Sequence, residues 1–333
     1  MRIAVLAPVA WRTPPRHYGP WEQMASNLTE GLVKSGIEVT LFATADSITA
    51  AKLDAVINEG YEEDKTLDAK VTECLHISNL MEKADQFDLI HNHFDFLPLT
   101  YSGLIKIPLI TTIHGFSSEK ILSVYQKYNA SGHYVSISNA NRHASLKYLA
   151  TVYNGIQTDN FDFNANPDDY LLFFGRIHSD KGLFEAIQIA IKTKRRLIIA
   201  GIIQDQNYYK EKVEPFLSDE IKFIGSAGPE KRNNLLRKAY ALLHPISFEE
   251  PFGLSVAEAM LCGTPVIAFH RGAMPELIKD RETGFLVKNV DEAIEAVSEL
   301  SIIDRSKCHK WAFENFSQEK MVADYISLYY QIL

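Results

Sequence analysis

Residues 240–268 decide the fold class, and they read YALLHPISFEEPFGLSVAEAMLCGTPVIA. The apolar run Tyr240–His244 predicts a buried strand, and a helix is predicted after the turn that contains Gly253. Gly263 ends that helix, and Pro265–Ala268 predicts a second buried strand. A strand, a helix and a strand in this order are typical of a parallel sheet covered by helices.

The same alternation extends in both directions, so the 333 residues predict two successive α/β units, close to the prior of about 150 residues per domain. The predicted strands are Ile3–Ala7, Glu38–Ala43, Leu89–His91, Leu109–Ile113, Tyr134–Ile137, Thr151–Tyr153, Tyr170–Phe174, Leu197–Ala200, Ile221–Ile224, Tyr240–His244 and Pro265–Ala268. The helices predicted with defined bounds are Trp21–Ser35, Leu183–Lys192 and Gln318–Leu333. The polar stretch Asp159–Asp169 is the predicted linker, and Thr283–Val287 is predicted to be a turn.

Composition excludes several classes of protein. Apolar residues make up 46% of the chain, which is ordinary for a globular protein, and the net charge of −8 has the wrong sign for a nucleic-acid binder. The three cysteines are too few and too scattered for a disulfide framework or a zinc site. Because no stretch approaches the ~20 apolar residues of a membrane span, we expect a cytoplasmic protein. Peripheral contact with a membrane stays open.

Two common ways of holding a diphosphate are absent from the sequence. No two glycines are separated by a single residue, so the Gly-x-Gly-x-x-Gly loop of dinucleotide-binding enzymes does not occur. There is also no Asp-x-Asp pair through which a metal ion is held on a diphosphate. We therefore expect no metal and no cofactor, with any diphosphate held by side-chain cations and backbone N–H groups.

Cations of this kind follow the strand Tyr170–Phe174. Gly175-Arg176 comes directly after the strand, and Lys181-Gly182 opens the next helix. Because open α/β sheets bind ligands at the carboxyl ends of their strands, Arg176 and Lys181 can both face one anionic group. Spacing alone fits two solvated surface cations equally well.

The turn inside residues 240–268 predicts a second part of the same site. Gly253 permits close approach of the backbone, and the N–H groups of Gly253, Leu254 and Ser255 would form an anion site at the helix start. Glu250 precedes this site and Glu258 lies one turn inside the helix. Ionised carboxylates only accept hydrogen bonds, so both residues fit a ligand rich in hydroxyl groups.

The segment Glu250–Ala268, with Gly175-Arg176 and Lys181-Gly182 upstream, closely resembles the retaining nucleotide-sugar glycosyltransferases of family 4. Weaker likenesses lie at Tyr18-Gly19, Trp21-Glu22, Thr112–Gly115, Ser136–Asn139 and Val152–Ile156. The resemblance implies the GT-B architecture, an α/β fold of two Rossmann-like domains facing across a cleft. It implies an acceptor-binding domain over residues 1–158, a nucleotide-sugar domain over 159–316, and a helix at 317–333 that packs back on the first domain.

The resemblance also implies a reaction and its residues. A hexose would pass from a nucleoside-diphosphate sugar (a uridine donor preferred, GDP-mannose the alternative) to a hydroxyl of a sugar, a glycolipid or another small acceptor, with retention of configuration. Arg176 and Lys181 would neutralise the departing diphosphate, and Glu250 would accept hydrogen bonds from the donor sugar. The donor-binding residues would be Gly19, Gly175, Gly253, Leu254, Ser255 and Glu258.

Histidines in the first half are interpreted through the same resemblance. His114 would form a hydrogen bond with the donor sugar or leaving group, although on residue type alone a structural histidine is the more common finding. His91-x-His93 has the form of a metal pair, but we expect the two rings on opposite faces of a strand and predict no ligand role.

Acceptor recognition is predicted for the loop between Trp11 and Trp21, which is rich in aromatic and basic groups. The candidate residues are Arg16, His17, Tyr18 and Trp21. Such a loop can stack on a sugar ring or contact an anionic carrier. A loop packed by its own aromatic side chains is an equal alternative.

Two other classes of function stay open at this point. One is a GT-B enzyme of different chemistry, either a sugar-nucleotide epimerase or a phosphorylase, and an epimer formed from donor alone would identify the former. The other is an inactive sugar-nucleotide-binding module, which the presence of Arg176, Lys181, Glu250 and Glu258 disfavours.

Overall fold

The computed structural model describes residues 1–333 as two compact units. The first unit combines Met1–Gly155 with Gln318–Leu333, and the second is Ile156–Ser317. The divisions therefore fall at 155/156 and 317/318, whereas the sequence analysis placed them at 158/159 and 316/317. The predicted α/β class with two Rossmann-like parallel-sheet domains is confirmed.

The first unit contains seven strands. They are β1 (Arg2–Leu6), β2 (Glu38–Phe42), β3 (Lys52–Asp54), β4 (Leu89–Asn92), β5 (Leu109–Ile113), β6 (His133–Ser136) and β7 (Ala150–Thr151). Its helices before residue 156 are α1 (Pro20–Lys34), α2 (Ala69–Met81) and α3 (Leu122–Lys127), with 3₁₀ turns at Ala84–Gln86, Leu97–Tyr101 and Glu119–Ile121. The strands are parallel and lie in the order β3-β2-β1-β4-β5-β6-β7.

Both faces of this sheet are buried, which explains why its strands are nearly continuous apolar runs. In β1, Ile3 and Val5 belong to a cluster that includes α1, whereas Ala4 and Leu6 belong to a cluster that includes α2. This alternation follows from the period of two in a strand.

The second unit contains six strands and seven helices. The strands are β8 (Tyr170–Phe174), β9 (Arg196–Ala200), β10 (Ile221–Phe223), β11 (Ala241–His244), β12 (Val266–Phe269) and β13 (Gly284–Val287). The helices are α4 (Leu183–Thr193), α5 (Gln206–Lys212), α6 (Pro229–Lys238), α7 (Leu254–Leu261), α8 (Met274–Leu277), α9 (Val290–Glu299) and α10 (Arg305–Phe316). Short 3₁₀ turns lie at Thr158–Asn160, Ser179–Lys181, Glu214–Phe216 and Leu300–Ile302.

The second sheet is also parallel, with the order β10-β9-β8-β11-β12-β13. Counted within the unit this is the 3-2-1-4-5-6 order of doubly wound folds. In such folds successive strands are added on one side of the first strand and then, from the fourth strand, on its other side. Here the change of side lies between β8 and β11. Their following loops carry Arg176, Lys181 and Glu250, so the topology alone places these residues at the expected ligand-binding edge.

The last helix, α11 (Gln318–Ile332), packs against α1 in the first unit. Met321, Val322 and Tyr325 are buried in the same apolar cluster as Ile3 and Val5. The hydroxyl of Tyr329 lies 2.6 Å from Nδ1 of His91, and that of Tyr325 lies 2.6 Å from Oγ1 of Thr112. The helix therefore completes one face of the first sheet.

Two local predictions are wrong. Thr283–Val287 is not a turn, since Gly284–Val287 forms the edge strand β13 beside β12. Asp159–Asp169 does not run free as a linker, because its backbone is fixed to the second unit. The Asn164 N–H donates to the carbonyl of Cys262, and the Asp168 N–H donates to the carbonyl of Lys238. No helix in the structure combines the length and apolar character needed to cross a bilayer.

Candidate active site

The site in the second unit is built on the loops after the adjacent strands β8 and β11. The Ser247 N–H donates to the carbonyl of Asp180 at 2.9 Å, which joins the two loops directly. Gly182 adopts a φ of 71°, and a Cβ added there would lie 1.8 Å from the carbonyl oxygen of Pro245. Glycine is therefore needed for the loop that carries Lys181 to lie against the end of β11.

Lys181 and Glu250 form a half-buried ion pair at the centre of this edge. Nζ of Lys181 lies 2.6 Å from Oε2 of Glu250, and the two side chains are only 15% and 13% exposed. The same ammonium lies 4.5 Å from the ring centre of Phe248, where the aromatic face attracts a cation. The predicted cation and carboxylate are thus in direct contact.

His244, the last residue of β11, is buried beside this pair. Its Nε2 lies 3.8 Å from Oε2 of Glu250 and has no hydrogen-bond partner. Burial, together with the nearby Lys181 ammonium, lowers the pKa of His244 to about 3. The imidazole is therefore neutral at physiological pH, since a charged ring would be poorly solvated beside a cation.

Arg176 lies in the loop after β8 and is held by two neighbours. Its guanidinium donates to the side-chain oxygen of Gln204 and lies 3.5 Å from Oδ2 of Asp180. His178 contacts the other oxygen of Asp180 at 2.7 Å. These neighbours position the guanidinium of Arg176. The side chain is 24% exposed, so its N–H groups still reach solvent.

Helix α7 begins at this edge. Gly253 precedes its first residue with a φ of 97°, and a Cβ added there would lie 3.7 Å from Cγ of Glu250. The first N–H groups of a helix have no partner within the helix, so those of Leu254 and Ser255 are available to a ligand. Gly253 places the start of α7 near the side chain of Glu250.

Glu258, inside α7, is buried and paired with an arginine from another helix. Its Oε2 accepts a hydrogen bond from Arg232 of α6, whose guanidinium lies 5.1 Å from the ring centre of Phe174. Burial raises the pKa of Glu258, and the charge and hydrogen bond of Arg232 oppose that rise. The pairing favours the ionised, acceptor-only form that was predicted to bind hydroxyl groups.

In the first unit, His114 follows β5 and is buried. Its Nε2 lies 3.0 Å from Nδ1 of His93, and the ring of Trp21 stacks on it with 5.7 Å between ring centres. Burial lowers the pKa of His114 to about 3, so the ring is neutral. A neutral imidazole can donate or accept one hydrogen bond, as the predicted role requires.

The expectation that His91 and His93 point to opposite faces is wrong. Their ring centres are 4.2 Å apart, because residues two apart on a strand share a face. Both pKa values are well below the ordinary value, chiefly through burial. His91 bonds Tyr329 and Thr112, so it belongs to the core beneath α11.

The loop before α1 contains three of the predicted acceptor residues, and the fourth, Trp21, lies in the first turn of α1 itself. Arg16 makes ion pairs with Asp46 and Glu63 at 2.8 and 2.6 Å, whereas His17 and Tyr18 are exposed. Trp11 and Tyr18 meet edge to face, so the alternative of a loop packed by its own aromatics holds in part. Gly19 lies directly before α1.

Glu22, in the first turn of α1, is a buried carboxyl beneath this loop. Its Oε1 accepts the N–H of Trp11 at 3.3 Å. Burial raises the pKa of Glu22 to about 7.

Sequence reasoning missed Arg232 and His244 as members of the site. Arg232 lies in the polar segment Pro229–Lys238, which carries no motif. His244 had a weak signal, since it is a polar residue that ends an apolar strand at the carboxyl edge of the sheet. No group of three or more histidine, cysteine, aspartate or glutamate side chains is arranged to hold a metal ion.

Two protein-family models match this chain. A family model described as "Glycosyl transferases group 1" matches residues 156–315, and one described as "Glycosyltransferase Family 4" matches residues 22–160. An uncharacterized glycosyltransferase, MJ1607 of Methanocaldococcus jannaschii, is 24% identical over an alignment 387 positions long, which covers 99% of this chain and 98% of the relative.

Solved structures share the fold. AviGT4, a glycosyltransferase involved in avilamycin A biosynthesis, aligns with a TM-score of 0.73 at 22% identity over 100% of this chain and 98% of its own. Anabaena Alr3699/HepE, solved with UDP and glucose, aligns with a TM-score of 0.74 at 18% identity over 98% of this chain and 99% of its own.

The two Rossmann-like sheets and the match of both family models define a glycosyltransferase with the GT-B type of fold. The two matched regions together run from residue 22 to residue 315. The chain belongs to the family 4 type of glycosyltransferases.

Proposed function

We propose that this glycosyltransferase moves a hexose from a nucleoside-diphosphate sugar to an acceptor hydroxyl, with retention of anomeric configuration and without a metal ion. A uridine donor is preferred, and GDP-mannose is the alternative. The observation that carries the proposal is the gathering of Lys181, Arg176 and the start of α7 around the ends of β8 and β11. The HepE structure with UDP and glucose, a protein of the same fold, supports a nucleotide-sugar donor.

The bond that must break joins the anomeric carbon to a β-phosphate oxygen, and negative charge grows on the diphosphate as it leaves. Arg176, Lys181 and the N–H groups of Leu254 and Ser255 would bind that charge. Groups fixed in advance around a developing charge are among the largest contributions to catalysis. The acceptor oxygen then bonds to the anomeric carbon, and its proton passes to the departing phosphate.

The carboxylates would orient the donor. Glu250 accepts hydrogen bonds from the sugar hydroxyls, and Glu258, held by Arg232, accepts them from the ribose. In the first unit, the neutral His114 would bond the donor sugar or leaving group. Arg16, His17 and Tyr18 in the loop before α1, with Trp21 in its first turn, would contact the acceptor, which is a sugar, a glycolipid or another small hydroxyl compound.

The test is an assay with UDP-glucose, UDP-galactose, UDP-N-acetylglucosamine and GDP-mannose, each with a panel of hydroxyl acceptors. We expect nucleoside diphosphate to be released with one donor and the product to show the donor's anomeric configuration by proton NMR. EDTA should leave the rate unchanged. Inverted product, an absolute need for a divalent ion, or an epimerised donor in the absence of acceptor would overturn the corresponding part of the proposal.

A further inference from the structure

The buried Nε2 of His244 is an unpartnered polar atom in the site of the second unit. An unpartnered buried nitrogen costs free energy, so its retention beside a carboxylate calls for an explanation. The acidic neighbour of this ring is Glu250, whose Oε2 lies 3.8 Å from Nε2, and its basic neighbour is Lys181. The negative charge of Glu250 favours the ring tautomer with the proton on Nε2, facing that carboxylate.

The Lys181–Glu250 pair presents a conflict for the proposed function. Lys181 is assigned to the diphosphate, yet its ammonium is bonded to Glu250 at 2.6 Å. Drawing the ammonium toward a phosphate leaves a carboxylate that is only 13% exposed without its cation. A buried charge that loses its partner is strongly unfavourable. Movement of Lys181 to the diphosphate of the sugar donor would therefore cost free energy unless another hydrogen-bond donor replaces it at Glu250.

The backbone around the pair decides which group moves. The carbonyl of Glu250 accepts the N–H of Ala273 at 2.9 Å, and His244 ends a central strand of the sheet. Lys181, in contrast, carries its ammonium on a flexible four-carbon chain. The ammonium can therefore leave while the carboxylate and the imidazole stay close together.

We propose that His244 is a positioning residue that donates a hydrogen bond from Nε2 to Oε2 of Glu250 when Lys181 moves to the donor diphosphate. A shift of less than 1 Å brings the 3.8 Å separation into hydrogen-bond range. The exchange keeps Glu250 oriented for the sugar and lowers the cost of releasing Lys181. The inference rests on the proposed function, because it requires a diphosphate at Lys181.

The test is calorimetric titration of the full chain with UDP, and with GDP in parallel, neither of which contains the sugar that Glu250 would bind. In His244→Phe we expect affinity for the diphosphate to fall by about tenfold, because the ring can no longer donate a hydrogen bond to the Glu250 carboxylate when Lys181 leaves it. His244→Gln, which restores an N–H near the position of Nε2, should stay within about twofold of the unaltered chain. Thermal melting checks that each variant folds.

A double-mutant cycle separates this role from a merely structural one. In Glu250→Gln no buried charge is left when Lys181 moves, so adding His244→Phe should change UDP affinity by less than about twofold. Equal losses in both backgrounds, or no loss in His244→Phe alone, would overturn the inference while leaving the glycosyltransferase proposal intact. If neither UDP nor GDP binds the unaltered chain, the proposed donor class and this inference both fail.

Discussion

The two units have the same parallel strand order around their first strand, yet the edges that follow their strands carry opposite chemistry. In the second unit, Lys181, Glu250 and Arg176 are ion-paired and partly exposed. In the first unit, the residues that follow β4 and β5 include His93 and His114, whose rings are neutral, buried and in contact. A shared fold thus fixes where the sites lie, and the side chains fix what each can bind.

The difference fits the separate roles that we propose for the two units. A charged edge suits a diphosphate, whose charge grows during the reaction. The stacked, neutral rings of Trp21 and His114 suit a sugar ring, since they offer a hydrogen bond and flat apolar surface without a charge of their own. Each prediction below alters one side of this contrast.

The largest effect is expected from Lys181→Ala. Turnover should fall by about 10² to 10³ or more, because one preorganised charge is removed from the departing diphosphate. Arg176→Ala should change turnover in the same direction. Initial rates at saturating donor measure both.

The matched control is Lys192→Ala in the same unit, which removes an exposed lysine paired with the exposed Asp291 at 3.2 Å. It should leave turnover unchanged. Near-normal turnover in both Lys181→Ala and Arg176→Ala would remove the charged edge from the mechanism.

A smaller loss is expected from His114→Ala in the first unit. Removing one hydrogen bond to the donor sugar or leaving group should reduce kcat/KM by about 10- to 100-fold. His133→Ala serves as the control, since His133 lies at the opposite, amino end of β6. If the two variants behave alike, the histidine edge has no role in the reaction.

Acidification should weaken the first unit more than the second. The histidines whose pKa burial lowers are His76, His91, His93, His114 and His133 in the first unit. The second unit contains only His244 in this class. A lowered pKa in the folded state contributes stability that is present above about pH 6.5 and is lost as pH falls toward the folded pKa, here about 4 for His76.

Each such histidine contributes up to about 1.4 kcal/mol per pH unit in that window. Glu22 acts in the opposite direction, because its pKa is raised to about 7 and its contribution grows as pH falls toward 4.5. Glu73 and Asp95 of the same unit, whose pKa values burial also raises, act with Glu22, so five histidines outweigh three carboxyls. Hydrogen exchange at pH 7 and pH 5 should show the larger loss of protection in the first unit, and an equal loss in both would contradict the prediction.

The smallest effect is expected from Tyr329→Phe. The variant leaves His91 Nδ1 without its partner under α11 and should lower the free energy of unfolding by about 1–2 kcal/mol. Tyr330→Phe, at an exposed neighbouring position, should have almost no effect. Urea denaturation of the two variants measures the difference, and turnover should be retained in both.

Much of the fold could be predicted because glycine punctuates regular elements. Gly253 and Gly263 bound α7, and the strands on either side were predicted to within one residue. Helix α2 has no such signal: Val71 and Leu75 are exposed, whereas Thr72 and His76 are buried. Its burial is set by the neighbouring elements, which residue periodicity does not report.

The residues of the candidate site could be proposed from the sequence, but their contacts could not. Arg176, Lys181, Glu250 and Glu258 carry charges whose chemistry is evident from their positions in the turns. Their partners depend on which strands become neighbours. Arg232 lies 26 residues before Glu258 and joins it only because α6 and α7 pack together.

The docking of α11 on the first sheet has a consequence for synthesis. The second unit is contiguous in sequence, so a ribosome can deliver all of it before residue 318 emerges. Until then the surface that receives Tyr325 and Tyr329 is uncovered, because the first unit still lacks helix α11. The first unit can therefore be completed only after the second has been synthesised, whereas N-terminal domains ordinarily fold first.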